Sequence, residues 1–151
     1  MSYVDKHLLR DEMVLYRTQL HWKVYAIPVI CAAITLGILV IVINKAGYSY
    51  FEVFFLIPAT VLFISAYLTR SSSEFAVTNR RVMMKTGVIR TASLEILLNK
   101  VEAISVNQNL LGKILNYGDI VITGSGGTKE LYRGIEGPLG LRNAVQEATP
   151  A

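Results

Sequence analysis

Twenty consecutive residues, Val24 to Ile43 (VYAIPVICAAITLGILVIVI), carry no charge. As a helix at about 1.5 Å per residue this run is about 30 Å long, the thickness of a bilayer's hydrocarbon core. A surface helix of a soluble domain would show a polar face, and this run shows none. The composition agrees, but unevenly. The chain is 52% hydrophobic and 17% charged, against about 25% charged for an average soluble domain. The apolar excess lies between Val24 and Leu68, and the rest reads as ordinary soluble protein. The run is too long for the core of a cleaved signal, and no small-residue cleavage site follows it.

A second apolar run, Phe51 to Thr69 (FEVFFLIPATVLFISAYLT), follows after the short link Asn44 to Tyr50. So short a link predicts an antiparallel transmembrane hairpin. Glu52 falls in the first turn of the second run, where a carboxylate meets the positive end of the helix dipole. Pro28 lies near a helix start and Pro58 deeper, where it predicts a kink. The link holds Lys45, whereas Arg17, Lys23, Arg70, Arg80 and Arg81 flank the pair. The positive-inside rule then places both chain ends in the cytoplasm. Trp22 and Tyr25 at one end, and Tyr48, Tyr50 and Phe51 at the other, suit interfacial belts, with Arg70 as an orientation anchor. The expected organisation is an amphipathic cytoplasmic segment over 1–23, spans over 24–43 and 51–69, an external loop over 44–50, and a cytoplasmic domain over 70–148. In the first segment Leu8, Leu9, Met13, Tyr16 and Leu20 fall near helical spacing, and His21 beside Trp22 reads as interfacial.

Beyond Arg70 the pattern turns to strands. Glu74–Thr78 alternates, with Phe75 and Val77 on one face. Asn79-Arg80 reads as a tight turn, followed by Val82–Lys85, a turn or bulge at Gly87, and Val88–Thr91. Leu94, Ile96 and Leu98 alternate with Ser93, Glu95 and Leu97. In Val101–Gln108 the spacing puts Glu102, Ile104 and Val106 on one face. Leu110, Leu111, Ile114 and Leu115 change the period to a single helical turn. Ile120 and Ile122 resume a strand, residues 124–127 (GSGG) form a hairpin tip, and Lys129–Ile135 returns. Pro138 opens a helix with Leu141, Val145 and Ala148 on one face. Six or seven short strands and one helix in about eighty residues predict a small β-sandwich or open barrel capped by that helix.

The spaced pieces TNRRV, KTGVI, EILLNKVEAI and QNLLGKILNYG, in that order, make residues 70–146 resemble the second bacterial pleckstrin-homology-like (PH-like) family. Two membrane helices ahead of one such domain is also a recurring arrangement there. The resemblance implies a seven-stranded PH-like sandwich capped by a helix, at the bacterial inner membrane. It brings no catalytic motif, and the dense basic pocket of eukaryotic inositol-lipid binders is absent between the first strands.

Few residues carry candidate chemistry. The net charge is +4, spread mildly, which suits an anionic membrane face better than nucleic acid. Cys31 is the single cysteine, so no intrachain disulfide and no metal-ligand spacing exists. GSGGTK fails as a phosphate loop because Thr128 separates Gly127 from Lys129. Nucleophilic catalysis needs a nearby base, yet both histidines, His7 and His21, precede the first apolar run. No cofactor is expected. Arg80, Arg81, Lys85 and Arg90 surround one hairpin, either as contacts for lipid headgroups or as a solvated polar face. Leu110, Leu111, Ile114 and Leu115 read as core by their spacing, or, if exposed, as a protein-contact patch. The expected function is a non-catalytic membrane module that self-associates or recruits other membrane proteins. The alternatives are an anionic-lipid sensor or an accessory subunit of a transport or envelope-stress complex.

Overall fold

The computed structural model describes residues 3–46, 51–87 and 91–149. The chain divides into two units. One joins Met1–His21 to Ser71–Ala151, and the other is Trp22–Arg70.

The first unit holds a short helix α1 (Tyr3–His7) and strand β1 (Val14–Gln19), separated in sequence from the remaining strands by the whole second unit. Helical spacing over Leu8 to Leu20 therefore gives way to a strand. Val14, Tyr16 and Thr18 are half-buried, while Leu15, Arg17 and Gln19 are exposed. β-branched and aromatic side chains at every second position suit a pleated edge. Leu9 and Met13, which suggested the helix, are exposed.

β1 pairs antiparallel with β2 (Glu74–Thr78), which pairs with β3 (Arg81–Thr86), which pairs with β4 (Ala92–Leu97). The second sheet is the meander β5 (Val101–Asn107), β6 (Tyr117–Gly124) and β7 (Lys129–Glu136). Between β5 and β6 lies one helical turn, α2 (Leu110–Ile114), and after β7 comes α3 (Pro138–Ala148). Among the described residues the seven strands thus form two antiparallel sheets, the first strand coming from the N-terminal segment. Residues 88–90 of the expected Val88–Thr91 piece lie outside the described residues.

The core lies between the sheets and under α3. Phe75, Val77, Met84, Ile120, Ile135 and Leu141 are buried there. Leu141 and Val145 are the buried face of α3 and Ala148 packs beside them, as the spacing predicts. Pro138 takes the first position of α3, and Gly137 before it adopts φ 57°, a left-handed conformation that glycine enters without a Cβ penalty. In β5 the register shifts between Val101 and Ala103. This bulge moves Glu102 off the inward face, so Val101, Ile104 and Val106 turn to the core while Glu102 is exposed. A bulge inserts one extra residue and flips the phase, which a period-two reading does not anticipate.

The second unit contains α4 (Ala26–Ala46), entered through a 3-10 turn at Trp22–Tyr25, and all but the last two residues of α5 (Phe51–Ser72), which carries Pro58 inside it. Ile27, Ile30, Ile34, Leu36, Val40 and Ile41 are all exposed. A helix apolar on every side belongs in lipid or a large core, not in water. Among the described residues one stretch, Trp22–Ile41, is long and apolar enough by length and composition to cross a membrane.

Candidate functional site

The basic hairpin between β2 and β3 is built around an internal ion pair. Thr78 closes the turn by accepting the Arg80 and Arg81 N–H groups at 3.2 and 3.0 Å. That turn sends the Arg81 side chain back across the sheet to Glu12. Arg81 Nε and Nη2 donate to Glu12 Oε1 and Oε2, each at 2.9 Å. Nη1 donates to Glu95 at 2.6 Å, and Nη2 also reaches the His7 carbonyl at 2.6 Å. The Glu12 side chain is fully buried. It accepts further from the Leu9 N–H at 2.8 Å and the Thr78 hydroxyl at 2.7 Å. Burial alone would push this carboxyl up. The Arg81 guanidinium, the Leu9 N–H and the Thr78 hydroxyl outweigh it and hold the group at about 2, from an ordinary 4.5. Glu12 in turn raises the Arg81 guanidinium above its ordinary value.

Of the four basic residues read either as headgroup contacts or as a solvated face, Arg81 is therefore committed inside the domain. Lys85 is half-buried, its Nζ 4.7 Å from the Tyr3 ring centre, a cation–π arrangement. Arg80 is exposed, and Arg90 lies outside the described residues. A sequence run of arginines looks like a surface patch because nothing in it announces a carboxylate sixty-nine positions upstream. Asn79 completes the tie, its N–H donating to the Met13 carbonyl and its Oδ1 accepting the Met13 N–H, both at 3.1 Å. Thr78, Asn79 and Arg81 together fasten the N-terminal segment to the sheet.

The core reading of Leu110, Leu111, Ile114 and Leu115 fails. They are exposed at 80, 59, 78 and 40% respectively. The residue of α2 that faces the domain is Gly112, and it is buried. A Cβ there would lie 2.5 Å from the Tyr117 carbonyl oxygen and 2.9 Å from Asn109 Oδ1. The close approach of backbone to backbone turns the large side chains away.

His21, read as interfacial, is buried. Its N–H donates to the Gly134 carbonyl at 2.8 Å, and its ring centre lies 5.0 Å from that of Tyr117. Trp22 is exposed, and Tyr25 is half-buried with the Arg70 guanidinium 5.8 Å from its ring centre. Tyr48 and Tyr50 lie outside the described residues.

A groove of about 560 Å³ is lined by Tyr16, Thr18, Gln19, Glu74, Asn116 and Glu136 among others. Tyr16 donates to the Gly137 carbonyl at 3.2 Å and Thr18 to the Glu136 carbonyl at 2.6 Å. Among the described residues no three His, Cys, Asp or Glu side chains are grouped to hold a metal ion.

A four-strand meander, a three-strand meander and a C-terminal helix over their junction define a PH-like sandwich. The chain belongs to the bacterial PH domain family, whose sequence profile matches residues 24–149. That stretch begins after β1, so the first strand comes from outside the matched region. Comparison with curated proteins and with solved structures finds no match.

Proposed function

We propose that this chain is a membrane-anchored, non-catalytic PH-like module that self-associates and recruits other membrane proteins, with two spans and both ends in the bacterial cytoplasm. The observation that carries the anchoring is a register. Gln19 at the end of β1 pairs with Glu74 at the start of β2, and the entire apolar segment runs between them. A chain that leaves and re-enters one sheet at adjacent strand positions crosses a bilayer an even number of times. If Trp22–Ile41 crosses, the Phe51–Thr69 run is the segment that brings it back. Membrane lipids are then obligatory partners, and nucleic acid is not one.

The non-catalytic reading rests on the chemistry of the buried groups. Glu12, the fully buried carboxylate, is held ionised by a guanidinium and has little affinity for a proton, which makes it a poor general base at neutral pH. Self-association has a physical route in the sheet edges, since among the described residues β4 pairs with β3 alone and β5 with β6 alone. Unpaired edges can add a strand from another chain. The headgroup-sensing alternative loses support because Arg81 points into the domain. The test is the mass of the full-length protein in nanodiscs. A discrete symmetric multimer supports the proposal, and a monomer refutes self-association.

A further inference from the structure

The α2 turn is fixed by polar ties. Asn109 Oδ1 accepts the Gly112 N–H at 2.6 Å, and Gln108 Nε2 donates to the carbonyls of Gly112 at 3.3 Å and Tyr117 at 2.9 Å. These bonds hold four large aliphatic side chains out of the core on a backbone that cannot easily collapse around them. A contiguous exposed apolar cluster on a well-held backbone marks a surface that something covers.

The position of the turn says what covers it. Tyr117, two residues beyond Leu115, packs its ring against His21. The next residue in the chain is Trp22, where the membrane-length apolar stretch begins. The turn therefore stands at the end of the domain from which the chain passes into that stretch. The opposite end is marked by the Gly124–Thr128 hairpin, at the far end of β6. β6 has eight residues, about 26 Å at ~3.3 Å per residue.

We infer that Leu110, Leu111, Ile114 and Leu115 insert into the headgroup–acyl boundary of the bilayer that the chain's own helices cross, with Lys113 reaching lipid phosphates. This rests on the anchoring proposed above. The cluster is purely aliphatic, whereas protein-binding hot spots are enriched in Trp, Tyr and Arg. Lys113 is exposed in the same turn, and an apolar face edged by a basic residue suits an anionic lipid surface. The inserted turn would be a second foothold for the domain on the membrane.

The test uses full-length protein in vesicles of phosphatidylglycerol and phosphatidylethanolamine. In a Cys31→Ala background, Leu111→Cys, Ile114→Cys and Ser125→Cys are each labelled with an environment-sensitive fluorophore. Flotation after carbonate washing first reads the anchoring by itself, and a chain that fails to float removes both the anchoring and this inference. With floating protein, labels at 111 and 114 should show blue-shifted emission and several-fold stronger quenching by doxyl lipids than the label at 125, which aqueous iodide should quench. Iodide quenching at 111 and 114 equal to that at 125 overturns the insertion while leaving the anchoring intact. Shielding from both quenchers also overturns it, and assigns the turn to a protein partner instead.

Discussion

Arg81 and Glu12 form a fork-to-fork ion pair, with two parallel hydrogen bonds of 2.9 Å, and the carboxylate is fully buried. A buried pair contributes little net stability over an apolar substitute, but removing one partner strands the other charge at a cost of about 3–5 kcal/mol. Arg81→Met should therefore destabilise the domain by about 3 kcal/mol. Glu12→Gln should cost less, because Arg81 keeps Glu95 and the His7 carbonyl, although the single amide oxygen can accept from only one of the Leu9 N–H and the Thr78 hydroxyl. Chemical denaturation in mild detergent checks both. A loss under about 1 kcal/mol for Arg81→Met, the range of a surface pair, would show that the pair is solvated in solution.

The same pair sets an acid limb. The Glu12 carboxyl is depressed from 4.5 to about 2 in the folded state, so the unfolded chain binds its proton first as pH falls. Its contribution is fully present above pH ~4.5 and is lost progressively toward pH ~2. A shift of this size corresponds to about 3 kcal/mol. Stability measured from pH 7 to pH 5 should be flat with respect to this group, and the decline between pH 4.5 and 2 should be visibly shallower in Glu12→Gln. An equal decline in the two proteins would mean that other carboxylates govern acid unfolding.

The apolar periodicities made the sandwich legible, and apart from the Val88–Thr91 piece the strands from Glu74 onward and the C-terminal helix fall close to where alternation and Pro138 place them. What was hidden depends on long-range partners. β1 lies fifty-four residues from the strand it pairs with, and its alternation was masked by Leu8, Leu9 and Met13 at competing spacing. Arg81 read as surface because its partner is in that same unrecognised segment. The α2 turn read as core because four apolar residues at helical spacing are normally buried. The deciding feature was Gly112, whose missing side chain lets the backbone take the inward position. The signal available for Glu12 was its place beside β1, and only recognition of that strand would have exposed it.

Because β1 precedes the apolar segment, the domain's boundaries are discontinuous. A fragment beginning at residue 71 lacks β1 and Glu12, leaving β2 with an unpaired edge and Arg81 without its buried acceptor. It should be poorly folded, with collapsed amide dispersion or aggregation. Joining His21 to Ser73 through a linker of about four residues restores the Gln19–Glu74 pairing with a hairpin-length connection. That chimera should be soluble and give a dispersed amide spectrum. Equal folding of the two proteins would show that β1 is dispensable.

Gly112→Ala places a methyl against the Tyr117 carbonyl and the Asn109 side chain. Overpacking of this kind costs about 1–3 kcal/mol, and it should also break the Asn109 cap. The change is local, so the sheet should persist while amide exchange at positions 112 and 113 accelerates. Unchanged protection there would mean that the turn relaxes without cost.

The strand register also decides which positions a topology experiment must label. Both ends of the apolar segment return to one domain, so labelling the two chain termini cannot distinguish a crossing from a surface excursion. The informative position is the middle of the segment. In a Cys31→Ala background, Asn44→Cys lies near the end of α4, and Asn143→Cys lies on the exposed side of α3. In intact cells a membrane-impermeant maleimide should label position 44 and spare 143. In inverted inner-membrane vesicles the pattern should reverse, with 143 labelled several-fold faster. The reverse pattern in each preparation would put the domain outside, against the excess of arginine and lysine flanking the apolar runs. Labelling of both positions from one face would show that Trp22–Ile41 lies along the membrane, with the strand pairing intact and no crossing at all.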